Sequence, residues 1–378
     1  MINRKLLLAV ACLGMLMFGI VMTTLGAVLP EIILKYDMNK SVAGSLITLL
    51  SFGVLAGSLV FGPVVDRYGY RRFLGVNAAL IFAGIEGIAF SSNAALLRIF
   101  VLLIGFGGGG INGASNALAA DISERERGAS LSLIHMFFGI GAISVPFALG
   151  TLLPFWPSAT ILGMIGAAML LPLIFISVIR YPVPKLPQGI RIAEAMTMLR
   201  DRALLIFGAM LFFQSGMELT VSGWSAVYFI DTHHIPADRA VFILSFFWIG
   251  IIIARILLSR LLKMRFAPAI LYISLGTTLT GVTMMLFAGN VYLSAAGLFV
   301  IGLGIAAVFP VVLGYIGERH AEMSGTAYGV AFTMALSGGM LFPYLTGLMG
   351  QSFGLRASFL VIPILLLIIA SLFHVRPK

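Results

Sequence analysis

The chain has 378 residues, of which 60% are hydrophobic and 10% are charged, against ~25% charged in an ordinary soluble domain. With 24 Lys and Arg, 14 Asp and Glu and a net charge of +10, it carries too few charges to wet a compact body of this size. The composition excludes a soluble enzyme, a disordered chain and a disulfide scaffold, and it points to an all-α polytopic membrane protein. Cys12 is the single cysteine, which excludes an intrachain disulfide, a cysteine-based zinc cluster and a CxxC redox centre. The bases sit in short loops between apolar runs, without a basic face or an aromatic-interleaved patch. The bilayer, and not nucleic acid, is therefore the expected partner.

A membrane-spanning helix needs ~20 apolar residues. Scanned at that length, the chain offers twelve spans, at about 6–34, 42–65, 73–92, 94–120, 129–152, 157–179, 204–230, 239–262, 267–288, 291–316, 326–349 and 355–374. Arg4 and Lys5 precede the first run as in a signal peptide. The run continues to Pro30, past the usual length of such a segment, so it is expected to be retained. Twelve spans put both termini on one side, where eighteen Lys and Arg fall, against five on the other. That bias predicts cytoplasmic termini and a multi-pass protein of the inner (plasma) membrane.

The longest polar stretch between spans, 180–203, contains Pro182, Pro184, Pro187 and Gly189. It predicts a six-helix bundle over 1–179, a cytoplasmic linker over 180–203 and a second six-helix bundle over 204–378. The halves superpose at a constant offset of 197, which pairs Gly105 and Gly107 with Gly302 and Gly304, Gly128 with Gly325, Gly141 with Gly338, Pro146 with Pro343 and Gly150 with Gly347. Gly and Pro at matching positions predict two parallel six-helix repeats, an arrangement suited to rocking around a site near mid-bilayer.

The loop after the second span reads Gly62-Pro-Val-Val-Asp66-Arg67-Tyr68-Gly69-Tyr70-Arg71-Arg72. It resembles the signature of the major facilitator superfamily, G-x-x-x-D-R-x-G-R followed by two basic residues, with Tyr70 in place of one Arg. The resemblance covers the whole chain and implies a transporter with the twelve-helix fold. Its loop is expected to form a cytoplasmic gate from Gly62, Asp66, Arg67, Gly69 and Arg71 with Asp121 and Arg125 at the end of the fourth span, a charge cluster that holds in one state and releases in another. A narrower resemblance lies in Asn112, Asn116 and Leu131, Leu133, His135, Phe137, Gly141 and Pro146 of the fourth and fifth spans. These are similar to the fucose/glucose/galactose–proton symporter family. His135 stands where that family has Gln and Phe138 where it has Asn, and the first span lacks the acid expected for proton coupling.

Ionisable groups at membrane depth cost ~2.5–3.5 kcal/mol or more and need a reason to be there. Gln214, Glu218 and Ser222 follow at i, i+4 and i+8, hence on one helix face, with Trp224 half a turn later. Amides and a carboxylate for hydroxyls, with an indole for an apolar ring face, suit a sugar. Asn112 and Asn116 share a face of the fourth span, and His135 is expected at the depth of Asn112 and within reach of it. Glu218, Glu86 and His135 are the candidate proton-coupling groups, with an ion pair to Arg98 as the structural alternative for Glu86. Arg255 lies inside the eighth span, snorkelling or facing the cavity. The glycine string 105–110 inside an apolar span reads as close helix packing, because a nucleotide loop needs a strand before it. His233-His234 reads as a solvated loop, too small for a metal site.

The function expected from these residues is secondary active transport of a small polar solute, a sugar, by alternating access and proton-coupled symport. The protein is expected to act as a monomer without cofactor or metal. A multidrug–proton antiporter is the alternative, although the fifth span lacks its usual G-x-x-x-G-P-x-x-G-G string. A membrane sensor or lipid enzyme is the third class, and no soluble signalling extension or nucleophile–base set supports it.

Overall fold

The computed structural model describes residues 3–122, 127–182, 198, 200–261, 267–320 and 324–376. The described chain is helical: α1 (Arg4–Lys35), α2 (Lys40–Phe90), α3 (Ala94–Ile122), α4 (Arg127–Leu152), α5 (Ser158–Ala168), α6 (Leu170–Val178), α7 (Arg202–His233), α8 (Ala237–Leu261), α9 (Ala267–Phe287), α10 (Val291–Ile305), α11 (Val308–Arg319), α12 (Ser324–Phe353), α13 (Leu355–Ser358) and α14 (Val361–His374). Among the described residues, 11 helical stretches are long and apolar enough to cross a membrane, with α5–α6, α10–α11 and α13–α14 each forming one stretch. These sequences are apolar on every face, the mark of helices solvated by hydrocarbon.

Short polar residues set the helix starts. Asn3, Asn39, Asn93, Asp201 and Asn290 each accept backbone N–H bonds from the first turn of α1, α2, α3, α7 and α10, satisfying donors that have no partner inside the helix. The expected spans 42–65 and 73–92 are joined into the 51-residue α2. A straight helix of that length would reach about 76 Å at 1.5 Å per residue, far beyond the ~30 Å hydrocarbon layer. The chain breaks at Gly69 (φ 78, ψ 163), a left-handed conformation that glycine adopts without penalty.

The chain divides into two compact units, one of Met1–Val28 with Leu49–Ile190, the other of Leu29–Thr48 with Arg191–Lys378. The end of α1 and the start of α2 thus group with the second half. Backbone and side-chain bonds hold them there: the Lys40 amide donates to Gln351 Oε1 at 3.0 Å and Thr48 Oγ1 donates to the Met340 carbonyl at 2.7 Å. Most of the expected linker lies outside the described residues.

Within the first unit, backbone packs on backbone at glycine. A Cβ on Gly105 would strike the Leu50 carbonyl, one on Gly53 the backbone at Leu102 and Phe106, and one on Gly84 the backbone of Ile104. Within the second unit, a Cβ on Gly302 would strike the Phe247 carbonyl, one on Gly250 the backbone at Phe299 and Leu303, and one on Gly281 the backbone of Ile301. Every partner in the second set lies 197 residues after its counterpart in the first. The glycine string of α3 serves the same purpose, with Gly107 on the Asn77 backbone and Gly109 on that of Val54, as expected of close-packed membrane helices.

Gly105→Ala and Gly302→Ala are expected to destabilise the protein by about 1–3 kcal/mol each, through forced separation of packed helices. Gly276 in α9 has nothing within 4 Å of a built Cβ, and Gly276→Ala is expected to be neutral or mildly stabilising. Thermal unfolding of the three purified variants in one detergent checks the contrast.

Candidate functional site

The polar stripe of α7 is formed as its spacing predicts, but its members differ in role. Gln214 is fully buried and its Nε2 donates to the Ile305 carbonyl at 3.0 Å, while its Oε1 has no donor among the described residues. Glu218, one turn on, is half-buried. The groups that act on its carboxylate are the Arg255 guanidinium, from α8, and the Gln214 amide. Arg255 is also half-buried and so retains open surface. Two opposite charges at membrane depth lower each other's cost, since an unpaired ion there is far more expensive than a paired one.

Trp224 departs from its expected role. It is fully buried in the second unit, where Gly44 and Gly347 lie against its ring and its Nε1 donates to the Pro343 carbonyl at 2.9 Å. Half a turn beyond the stripe is enough to rotate the indole into packed protein, so it has neither free face nor free donor to offer a solute. Ser222 is likewise buried, and its hydroxyl has no partner among the described residues.

In the first unit, Asn116 Nδ2 donates to the Asn112 carbonyl at 2.9 Å and Oδ1 at 3.0 Å, and it lies 3.7 Å from the Met15 sulfur of α1. Both amides are half-buried. The expected meeting of His135 with Asn112 does not form. His135 is exposed on α4 and its Nδ1 lies 2.7 Å from the Leu131 carbonyl of its own helix, while the Asn112 side chain already serves Asn116. Phe138, at the family's Asn position, is buried against Phe18 with ring centroids 5.5 Å apart. Glu86 is half-buried with its carboxyl over the bare backbone of Gly163 and Gly166 in α5. The alternative ion pair with Arg98 is not formed among the described residues.

In the charged turn between the apolar runs 42–65 and 73–92, the contact to Asp121 is made by a tyrosine. Tyr70, where the signature has Arg, is buried, and its hydroxyl donates to Asp121 Oδ2 at 2.7 Å. Burial and the Asp121 carboxylate push the Tyr70 phenol up from its ordinary range, so it remains a donor throughout the physiological range. Gly62 is buried, Asp66 half-buried and engaged, and Arg67 and Arg71 exposed; Arg125 lies outside the described residues.

Two polar features escaped sequence reasoning. Lys40 and Asp231 form an ion pair at 2.7 Å, within the second unit; 191 residues separate them and no local pattern links them. His233 is not a solvated loop residue. It ends α7, stacks on Phe229 at 5.5 Å and lies 2.9 Å from Ser294 Oγ.

Long apolar helices broken at glycine and proline, with a few amides and one opposed charge pair inside them, define a multi-pass helical membrane carrier. The family model for the Major Facilitator Superfamily matches residues 11–343, and the chain belongs to that superfamily of transporters. It is similar to the uncharacterized transporter y4wD of Sinorhizobium fredii, 23% identical over 369 residues and covering 95% of each chain. It is also similar to the glucose/mannose transporter GlcP of Bacillus subtilis, 21% identical over 342 residues, 87% of this chain and 84% of that one. Among solved structures it shares its fold with the nucleoside transporter NupG, with a TM-score of 0.81 at 15% identity and 100% of both chains covered. A D-xylose–proton symporter gives a TM-score of 0.80 at 15% identity, covering 99% of this chain and 98% of that one.

Tyr70→Phe removes a buried hydrogen bond to a carboxylate and is expected to cost about 1–2 kcal/mol, read as a lowered unfolding midpoint. For the α7–α8 pair, Glu218→Gln and Arg255→Gln are each expected to destabilise more than the double variant, with a coupling above ~1 kcal/mol in a double-mutant cycle.

Proposed function

We propose that the protein is a proton-coupled symporter for a small hydroxylated solute, a sugar, working by alternating access as a monomer in the inner (plasma) membrane. Counting α2 as two passes about Gly69 gives twelve spans. The shared offset of the glycine contacts supports two six-helix repeats, with bundles over 1–179 and 204–378 joined by a linker at 180–203. The bias of Lys and Arg supports cytoplasmic termini.

The observation that carries this reading is the set Gln214, Glu218 and Arg255: an opposed charge pair in the middle of the apolar helices, beside a buried amide oxygen with no donor. A hydroxyl is the chemistry such a set accepts, because it donates to Gln214 Oε1 and accepts from Arg255. Glucose, mannose, xylose and nucleosides, named for the relatives and fold neighbours, all present hydroxylated rings. The Asn112–Asn116 pair supplies a second set of donors and acceptors.

In the cycle we infer, Glu218 takes a proton from outside. Its charge is cancelled, and the Arg255 guanidinium, left without its counter-charge, turns to the solute hydroxyls, so that closing the site is favoured only with solute bound. Loss of the proton inside restores the pair and expels the solute. Glu86 is the second protonatable candidate, and His135 the third.

Purified protein in proteoliposomes with an inward proton gradient is expected to accumulate a sugar from a hexose and pentose panel, and a proton uncoupler is expected to abolish accumulation. Glu218→Gln is expected to lower gradient-driven uptake at least about tenfold while preserving solute counterflow, which needs no proton movement. Uptake indifferent to the uncoupler refutes proton coupling. Protection of cells against dyes, without sugar flux, points instead to efflux.

A further inference from the structure

At the end of α6 the chain leaves helical geometry at Ile179 (φ −78, ψ 151) and continues through Arg180, Tyr181 and Pro182. Alongside it, still within the first unit, lies the turn from Asp66 to Arg71 with its reversal at Gly69. The two segments line an open cavity of about 500 Å³, within the usual range of ligand sites.

The wall of this cavity is strongly cationic. It presents three guanidinium groups, Arg67, Arg71 and Arg180, against one carboxylate, Asp66. All three arginines are exposed, and none lies within ion-pair distance of a carboxylate among the described residues. Asp66 is engaged elsewhere. Two of the three phenols on the wall are committed: Tyr70 donates to Asp121 at 2.7 Å and Tyr181 to the Ile176 carbonyl at 2.9 Å. Arg67 lies over the Tyr68 ring at 5.3 Å, which holds its guanidinium at the rim.

Three permanent positive charges around one cavity repel one another, and each brings five N–H donors in a planar fork. An anion with several oxygens relieves both conditions, and the fork matches phosphate best. The cavity also sits where the apolar runs 42–65, 73–92 and 157–179 end, the depth at which hydrocarbon gives way to headgroups. Basic pockets at that level are suited to anionic lipids.

We propose that this cavity binds a phosphate-bearing anion held by Arg67, Arg71 and Arg180. The phosphate is carried either by an anionic phospholipid headgroup or by a soluble phosphate ester. Occupancy joins the exit of α6 to the charged turn of α2, so the anion braces two segments that share no ion pair among the described residues.

The test uses the full chain, purified and placed in nanodiscs of phosphatidylglycerol or phosphatidylcholine, with native mass spectrometry and thermal unfolding as readouts. Phosphatidylglycerol is expected to raise the unfolding midpoint by at least about 2 °C over phosphatidylcholine. The double variant R71Q/R180Q is expected to weaken phosphatidylglycerol binding about fivefold for each arginine removed, and Arg239→Gln, an exposed arginine outside the cavity, is expected to leave it unchanged. In phosphatidylcholine, glycerol 3-phosphate and inorganic phosphate are then titrated. Stabilisation by these alone, lost in the double variant, assigns the site to a soluble ester; stabilisation by the lipid alone assigns it to the headgroup. If R71Q/R180Q fails to fold, R71K/R180K keeps the charges without the forks and must bind with intermediate affinity. A double variant that retains the wild-type response to both lipid and phosphate, or a wild type that does not distinguish the anions from phosphatidylcholine, overturns the proposal.

Discussion

Hydrocarbon offers no partner for a polar group, so every N–H, C=O and charge placed within it must be satisfied by the protein itself. In this chain the helices satisfy their own backbones, and several side-chain hydroxyls are directed back onto them. Thr23, Thr24, Ser144, Ser225, Thr278 and Thr346 return their hydroxyls to carbonyls one turn back. Around Pro343, where α12 cannot complete its ladder, the carbonyls of Met340 and Pro343 accept from Thr48 and Trp224. Against that background, Gln214 Oε1, buried without a donor among the described residues, stands out because it lies beside the Glu218 carboxylate, which the Arg255 charge also acts on.

The same constraint accounts for the packing. Between lipid-solvated helices there is little hydrophobic gain in association, so attraction comes from close van der Waals contact, and glycine provides it. The contact between residues 87 and 100 in the first unit illustrates how. Gly87 makes room for Phe100, whereas at the positions 197 later the small residue is Gly297 and the large one Met284. The site of approach is kept while the helix that yields the space is exchanged. Geometry, more than residue identity, is what the two sets of contacts share.

Hydrophobic runs and glycine offsets made the helices and their close contacts readable in advance, because each depends on a few neighbouring residues or on one fixed period. Side-chain partners across helices were less readable. The i, i+4, i+8 spacing put Gln214 and Glu218 on one face, but nothing in the sequence sets the rotation of that face, and a further half turn carried Trp224 into the interior. His135 illustrates a competing local bond: a side chain beside its own Leu131 carbonyl at 2.7 Å has little reason to reach a neighbouring helix. Lys40 begins α2 and Asp231 lies near the end of α7, and their meeting depends on the whole course of the chain. Arg255 was visible as a charge inside a span, and only the packing of α7 on α8 turned it into the counterpart of Glu218.

The substitution of Tyr70 in the charged turn has a consequence for switching. An arginine there would meet Asp121 as an ion pair, whose strength varies with salt and with the water admitted as helices separate. A phenol bonded to the same carboxylate carries no net charge, so its bond depends on distance and desolvation and much less on the surrounding field. The turn also keeps Arg67 and Arg71 uncommitted to Asp121. With Tyr70 holding α2 to α3, the arginines face outward from the turn and retain their donors for other partners. A single aromatic replacement thereby separates two tasks that an all-ionic cluster combines: fastening one helix end to the next, and presenting positive charge at the membrane surface.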